Sequence, residues 1–205
     1  TRVLDTHVHA DHLSRSRALA ERVGATLHLP AQERVRFPFA PLHDGDTLTI
    51  GGAQLLALAA PGHTNESMAY RLDDFALFTG DTLFLVSVGR PDLEASAGEA
   101  RERATLLYHS LRRLVALPDA TLVLPGHTSE PIPFDGAPIV APLAMVRKQV
   151  TLLREDEAGF VAAILSRIPP TPPNHQLIVE ANEAGEFPEG DVTDVEAGAN
   201  RCAVL

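Results

Sequence analysis

The chain has 205 residues, 45% of them hydrophobic and 21% charged, with a formal net charge of −10. That length suits one domain with a sizeable core, so residues 1–205 are read as a single domain. The acid excess argues against a general nucleic-acid binder, a single cysteine excludes an internal disulfide or a cysteine-built zinc cage, and no apolar run of ~18 residues offers a membrane span. No secretory leader pattern is visible, which makes a cytoplasmic location the default expectation.

In chain order, RVLDTH (2–7) predicts a short strand and SRSRALAERVGA (14–25) a helix closed near Gly24. ATLHLP (25–30) predicts another strand. The segment 46–64 predicts a hairpin around Gly51–Gly52, and SMAYRL (67–72) with FALFTGD (75–81) predicts two strands paired through Asp73–Asp74. Leu107, Leu111 and Leu114 recur at helical spacing within a helix over 98–117 that Pro118 closes. ATLVLPGH (120–127) predicts a strand, 129–142 a Pro-rich loop, and Leu143, Val146, Val150 and Leu153 a helix, followed by a short one over 157–167. Pro169, Pro170, Pro172 and Pro173 predict an extended tail, with the acidic, Gly-rich stretch 182–200 loop-like.

Four of these strands stop at a potential metal ligand: His7, His63, Asp81 and His127. THVHADH (6–12) adds His9, Asp11 and His12. Strand ends gather along one edge of a sheet sandwich, so ligands distant in sequence would meet there. Such groups converging without a cation would compete for few hydrogen-bond donors, whereas a divalent ion satisfies neutral imidazoles and ionised carboxylates together. Imidazole and carboxylate suit iron, zinc and manganese. His28, His43, His109 and His175 lack ligand-like neighbours and are read as structural.

In order, THVHADH, PGHT (61–64), FTGD (78–81) and PGH (125–127) match the metal motifs of the metallo-β-lactamase superfamily. The resemblance implies an α/β fold, an αββα sandwich with metal at the edge between its sheets. Members carry further strands and a helix before the first motif, so it also implies that this chain lacks its N-terminal strands and leaves apolar surface open. LFTGDTLFLVSVGRPDL (77–93) and the ending EAGANRCAVL (196–205) resemble persulfide dioxygenases (sulfur dioxygenases). The weakest match is 129–195, which is more similar to bacterial relatives, some of them fused to rhodanese domains.

The ligand spacing leaves two arrangements open. In one, His7, His9 and His63 hold one zinc, Asp11, His12 and His127 a second, and Asp81 bridges, as in a thioester hydrolase resembling glyoxalase II. In the other, His7, His63 and Asp81 form a two-histidine, one-carboxylate face around one iron(II) per chain, with His9, Asp11, His12 and His127 around it. The resemblance implies the second, with glutathione persulfide (or a similar small persulfide) and dioxygen as substrates, sulfite as product, and a homodimer as one assembly to expect. A non-catalytic sulfur-relay or binding module is the third possibility. Arg90 either organises the pocket through Asp92 or makes a surface salt bridge. Thr64 either bonds substrate or closes its own turn. Arg201 either meets a substrate carboxylate or is simply solvated, and Cys202 either borders the pocket or is a small buried hydrophobe.

Overall fold

The structure is a computed structural model, which describes residues 1–128, 132–133, 135–187, 190–196 and 201–205. Two sheets face each other. The first is three-stranded and all parallel, in the order β1 (Arg2–Leu4), β2 (Thr26–Pro30), β3 (Ala40–Leu42). The second contains β4 (Thr47–Ile50), β5 (Ala53–Ala59), β6 (Met68–Leu72) and β7 (Ala76–Gly80), which pair antiparallel in sequence order. Beyond β7, β9 (Leu122–Pro125) lies parallel and β10 (Ala141–Pro142) antiparallel to β9. A two-stranded ribbon joins β8 (Val88–Gly89) to β11 (Ala203–Val204).

Alternation along the strands explains the layering, because period-2 side chains send one set to each face. Leu55 and Ala57 of β5, with Met68 and Tyr70 of β6, bury against Leu42 of the first sheet, with Leu4 packed beside them. Leu58, Ala69 and Leu77 point the other way, onto Leu114 of α2 (Ala97–Val115). On the outer face of the first sheet, Ala20 of α1 (Ser16–Val23) packs on Leu27 and Leu29. The order helix, sheet, sheet, helix is thus the αββα sandwich the motifs imply. The parallel pair β7–β9 requires a crossover, and α2 supplies it. Ser96 and Glu99 close a capping box at its start.

The boundaries differ from expectation at three places. The helix expected over 143–153 is α3 (Leu143–Gln149) followed by a 3₁₀ turn at Thr151–Arg154, because Val150 is extended (ψ 98°). Val150 and Thr151 are consecutive β-branched residues, which weaken a helix there. α4 (Glu157–Ser166) stands as expected. The chain after the prolines is not an extended tail: α5 (His175–Ala184) is a helix ended by Gly185 in the left-handed conformation (φ 70°), and Ile178, Val179 and Ala181 are buried. The loop-like reading of 182–200 therefore fails at its first three residues, while 188–189 and 197–200 lie outside the described residues, as do 129–131 and 134 of the Pro-rich loop. No helix among the described residues is long and apolar enough to cross a membrane.

Candidate metal centre

The chain delivers its ligands just past strand ends. β1 ends at Leu4 and the 6–12 motif follows; β5 ends at Ala59, four residues before His63. Gly80 closes β7 immediately before Asp81, and Pro125 closes β9 two residues before His127. His7, His63 and Asp81 are all buried, and their donor atoms lie within 4.8 Å of one another. His63 Nε2 is 3.6 Å and His7 Nε2 3.9 Å from Asp81 Oδ2. Two donors on one ion sit about 3.0–3.4 Å apart at ordinary bond lengths, so small rotations would bring these onto a common cation.

The far sides of both rings are tied. His63 Nδ1–H donates to the Arg90 carbonyl at 2.8 Å, which fixes the tautomer that leaves Nε2 facing Asp81. His7 Nδ1 bonds the Thr6 hydroxyl at 2.9 Å. His7 Nε2 and both Asp81 carboxylate oxygens are buried and make no hydrogen bond of good geometry. Orphaned polar atoms of this kind, an imidazole nitrogen and both oxygens of a carboxylate turned inward together, fit a cation. Burial, then the neighbouring His9, pushes the His7 pKa well below its ordinary value and keeps the ring neutral, as a ligand must be. Burial opposes ionisation of Asp81, but His127, His7 and His63 outweigh it and hold the carboxyl below the usual carboxylate range.

The other motif residues divide into two sets. His9, Asp11 and His12 form one three-donor group, and Asp11, His127 and Cys202 another. His9 Nε2 lies 4.0 Å from Asp5 Oδ1, and burial followed by His12 lowers its pKa. His12 Nδ1 is 3.1 Å from Asp11 Oδ1. His127 Nε2 stands between Asp11 Oδ2 at 3.1 Å and Asp81 Oδ2 at 3.2 Å. Burial lowers the His127 pKa, but the two carboxylates overcome it and raise it.

The family model of the metallo-beta-lactamase superfamily matches residues 1–127. The chain belongs to the metallo-β-lactamase superfamily. A metallo-beta-lactamase from Staphylococcus aureus superposes with a TM-score of 0.81 at 27% identity, over 91% of this chain and 59% of that one. ETHE1 from Myxococcus xanthus superposes at 0.76 with 34% identity, over 91% of this chain and 78% of that one. A hydroxyacylglutathione hydrolase from Methylococcus capsulatus is 36% identical over 80% of this chain and 64% of its own length. This metallo-β-lactamase domain spans about half the length of other curated relatives it matches, 52% of a probable metallo-hydrolase from Burkholderia pseudomallei and 48% of a Rhizobium johnstonii hydroxyacylglutathione hydrolase.

Within this metallo-β-lactamase site, Arg90 is no surface residue. It is fully buried and grips both Asp92 oxygens, Nε to Oδ1 at 2.8 Å and Nη2 to Oδ2 at 2.7 Å. Its Nη1 donates to the carbonyls of Pro170 and Arg201 at 3.1 and 3.2 Å. Thr64 closes its own turn through Ser67 Oγ (2.8 Å) and also borders a cavity of about 190 Å³ beside His63. Arg201 contributes its carbonyl to Arg90. Cys202 is buried, with its sulfur within 4.8 Å of donor atoms of Asp11 and His127. An apolar cavity of about 410 Å³, lined by Phe84, Leu85, Val86 and Ile139, opens onto His127. His28, His43, His109 and His175 belong to none of the three-donor groups among the described residues.

Sequence reasoning missed Thr6, Asp5 and Asn182. The Asn182 amide of α5 donates to the carbonyls of His9 and His12 and accepts from Ser14 N–H, so the misread helix pins the motif loop. The signal was available: Ile178, Ala181 and Asn182 share one helical face, and Gly185 marks a stop.

Gly126 shows how tightly the centre is packed. A Cβ there would stand 2.5 Å from Asp81 Oδ1 and 3.2 Å from the Gly80 carbonyl. Gly126→Ala is expected to turn the Asp81 carboxylate away and weaken metal binding by about tenfold or more, read by competition against a chelator. Unchanged affinity would mean that Asp81 holds no ion in this orientation.

Proposed function

We propose that this chain is a persulfide dioxygenase, an iron-dependent oxidoreductase that oxidises the outer sulfur of a small persulfide of the glutathione class to sulfite. His7, His63 and Asp81 hold one iron(II) per chain. The observation that carries the reading is where the two stretches resembling persulfide dioxygenases meet. Residues 77–93 and the C-terminal end pair with each other at Gly89↔Ala203 and Val88↔Val204, and Arg90 N–H donates to the Cys202 carbonyl at 2.9 Å. This unit carries the Arg90 carbonyl that orients His63, so the family-specific segments bear directly on a metal ligand. The likeness to ETHE1, over 78% of its chain, supports the same branch.

Iron held by His7, His63 and Asp81 would supply the redox chemistry that joins dioxygen to the outer sulfur. The protein contributes the rest. Thr6 and the Arg90 carbonyl fix the imidazole orientations, and Phe84 and its apolar neighbours give the His127 side an apolar wall. His127, charged more readily than an ordinary histidine, holds a proton at Nε2 between Asp11 and Asp81 and can pass it to the thiol product. His9, Asp11 and His12 keep this ring of protons and carboxylates in place. Thr64 borders the cavity beside His63 where the substrate would sit, and Arg90, bonded to the Arg201 carbonyl, organises the pocket by holding the segment whose carbonyl anchors His63. In balance, one persulfide, one dioxygen and one water yield the thiol, sulfite and protons. The same reading takes the protein as cytoplasmic and homodimeric.

A second reading, a zinc thioester hydrolase, is favoured by the hydroxyacylglutathione hydrolases among the relatives. It needs the His9 donor beside those of His7 and His63; the His9 ring packs on that of His7, centroids 4.3 Å apart, while its donors group with those of Asp11 and His12. Iron-loaded and zinc-loaded protein should be assayed on glutathione persulfide and on an acyl-glutathione. Oxygen uptake with sulfite release, one for one, from the iron form is expected. Thioester hydrolysis by the zinc form without oxygen uptake by the iron form would replace this reading, and inactivity of both would make the chain a binding module.

A further inference from the structure

A cavity of about 200 Å³ lies between α1, the first sheet and α5, with His7 and His9 in its wall. It is distinct from the cavity beside His63, and the proposed reaction makes no use of it. Leu27, Leu29, Val35, Phe37 and Ala181 form its apolar sides. Its polar lining centres on Asp5, whose carboxylate is held by two hydroxyls: Ser16 Oγ donates to Oδ1 and Ser14 Oγ to Oδ2, each at 2.6 Å. His9 Nε2 stops 4.0 Å short of Asp5 Oδ1, too far for a direct hydrogen bond. A gap of that length between two sheltered polar groups is one that a third polar atom fills. His9 Nδ1, across the ring, is buried and makes no hydrogen bond either.

The lining decides what kind of guest fits. Asp5 disfavours an anion, and Arg17 in the same wall disfavours a cation. Arg17 is itself spoken for: Nε donates to Glu21 Oε1 at 3.0 Å, Nη1 donates to the Gly185 carbonyl at 3.1 Å, and the guanidinium lies 5.0 Å from the Phe37 ring centre. Asn182 is spent on the motif loop. A neutral guest is therefore favoured. The volume suits a single ring, since a cavity of about 150 Å³ already admits benzene, and Phe37 offers that ring an aromatic neighbour. The gap fixes the substituent. A carboxylate only accepts, and beside it the His9 proton sits on Nε2, so the bridging group must donate to one and accept from the other, as a hydroxyl does. We propose that this cavity binds a small neutral aromatic alcohol, a ring of phenol size whose hydroxyl bridges His9 Nε2 and Asp5 Oδ1. The His9 ring packs on that of His7, centroids 4.3 Å apart, so the guest sits one ring away from a proposed metal ligand and braces the motif loop. It makes no bond to the metal, and the inference is independent of which reaction the centre performs.

Phenol and toluene test the site, because toluene keeps the shape and lacks the hydroxyl. The full chain should be loaded with zinc, which leaves methyl signals sharp, and titrated with each compound while the methyl resonances of Leu27, Leu29 and Val35 are followed. Phenol is expected to shift them saturably. Toluene is expected to bind about tenfold more weakly, since it leaves the His9–Asp5 gap unfilled. Ala18, an exposed α1 residue in the same wall, allows the cavity to be closed. Ala18→Leu, a substitution that suits a helix, is expected to abolish the phenol shifts. No saturable shift in the wild-type chain overturns the proposal and leaves the cavity to water. Toluene binding as tightly as phenol overturns it too, as do full phenol shifts in Ala18→Leu. The first two outcomes need only wild-type protein, so the proposal stays testable whether or not the variant folds. Oxygen uptake plays no part in any of them, so failure here is distinguishable from failure of the dioxygenase assignment.

Discussion

Asp81→Ala is expected to abolish metal retention, with affinity falling about 100-fold or more. The reason is the geometry around one carboxylate. Asp81 Oδ2 faces His63, His7 and His127 at 3.6, 3.9 and 3.2 Å, and it is the only anionic group in the buried His7–His63–Asp81 cluster. Losing an outer-shell partner already costs about 10–100-fold in metal affinity, and losing a charged ligand costs more. Asp81→Asn keeps the volume and removes the charge, and it should lose the ion nearly as completely. Elemental analysis after gel filtration, together with chelator competition, reads both variants. Wild-type metal content in Asp81→Ala would remove the residue from the ligand set.

Arg90→Lys is expected to destabilise the fold by about 3–5 kcal/mol, although lysine keeps the charge. Breaking a buried pair strands its partner in low dielectric. The guanidinium makes four bonds in a planar fork, two to Asp92 and two to the carbonyls of Pro170 and Arg201. An ammonium can reproduce neither the fork nor its reach. The damage should concentrate where Arg90 ties the chain together: amide exchange at Ala203 and Val204 should speed up as β11 loosens from β8. Denaturant unfolding measures the first effect and hydrogen exchange the second. A loss below about 1 kcal/mol would return Arg90 to the class of ordinary surface pairs.

The legible part of this protein was local. Strands ending in a ligand could be read because alternation and residue type both lie within a few positions, as in Ala76–Gly80 followed by Asp81. The αββα order followed from those motifs by resemblance. What stayed hidden depends on long-range partners. Arg90 gave no sign of being fully buried, since its burial comes from Pro170 and Arg201, 80 and 111 residues away. Four prolines disguised α5, whose Asn182 reaches back across 170 residues to the His12 carbonyl. Cys202 borders the centre because β11 pairs with β8 over more than a hundred residues, a register that two-residue strands cannot announce.

The most direct test of the central claim is anomalous diffraction at the iron edge from crystals of the iron-loaded chain. A single peak bounded by His7 Nε2, His63 Nε2 and an Asp81 oxygen is expected, with His9 and His12 outside bonding distance. A peak ligated by His9 together with His7 and His63, or iron seated away from Asp81, would contradict it.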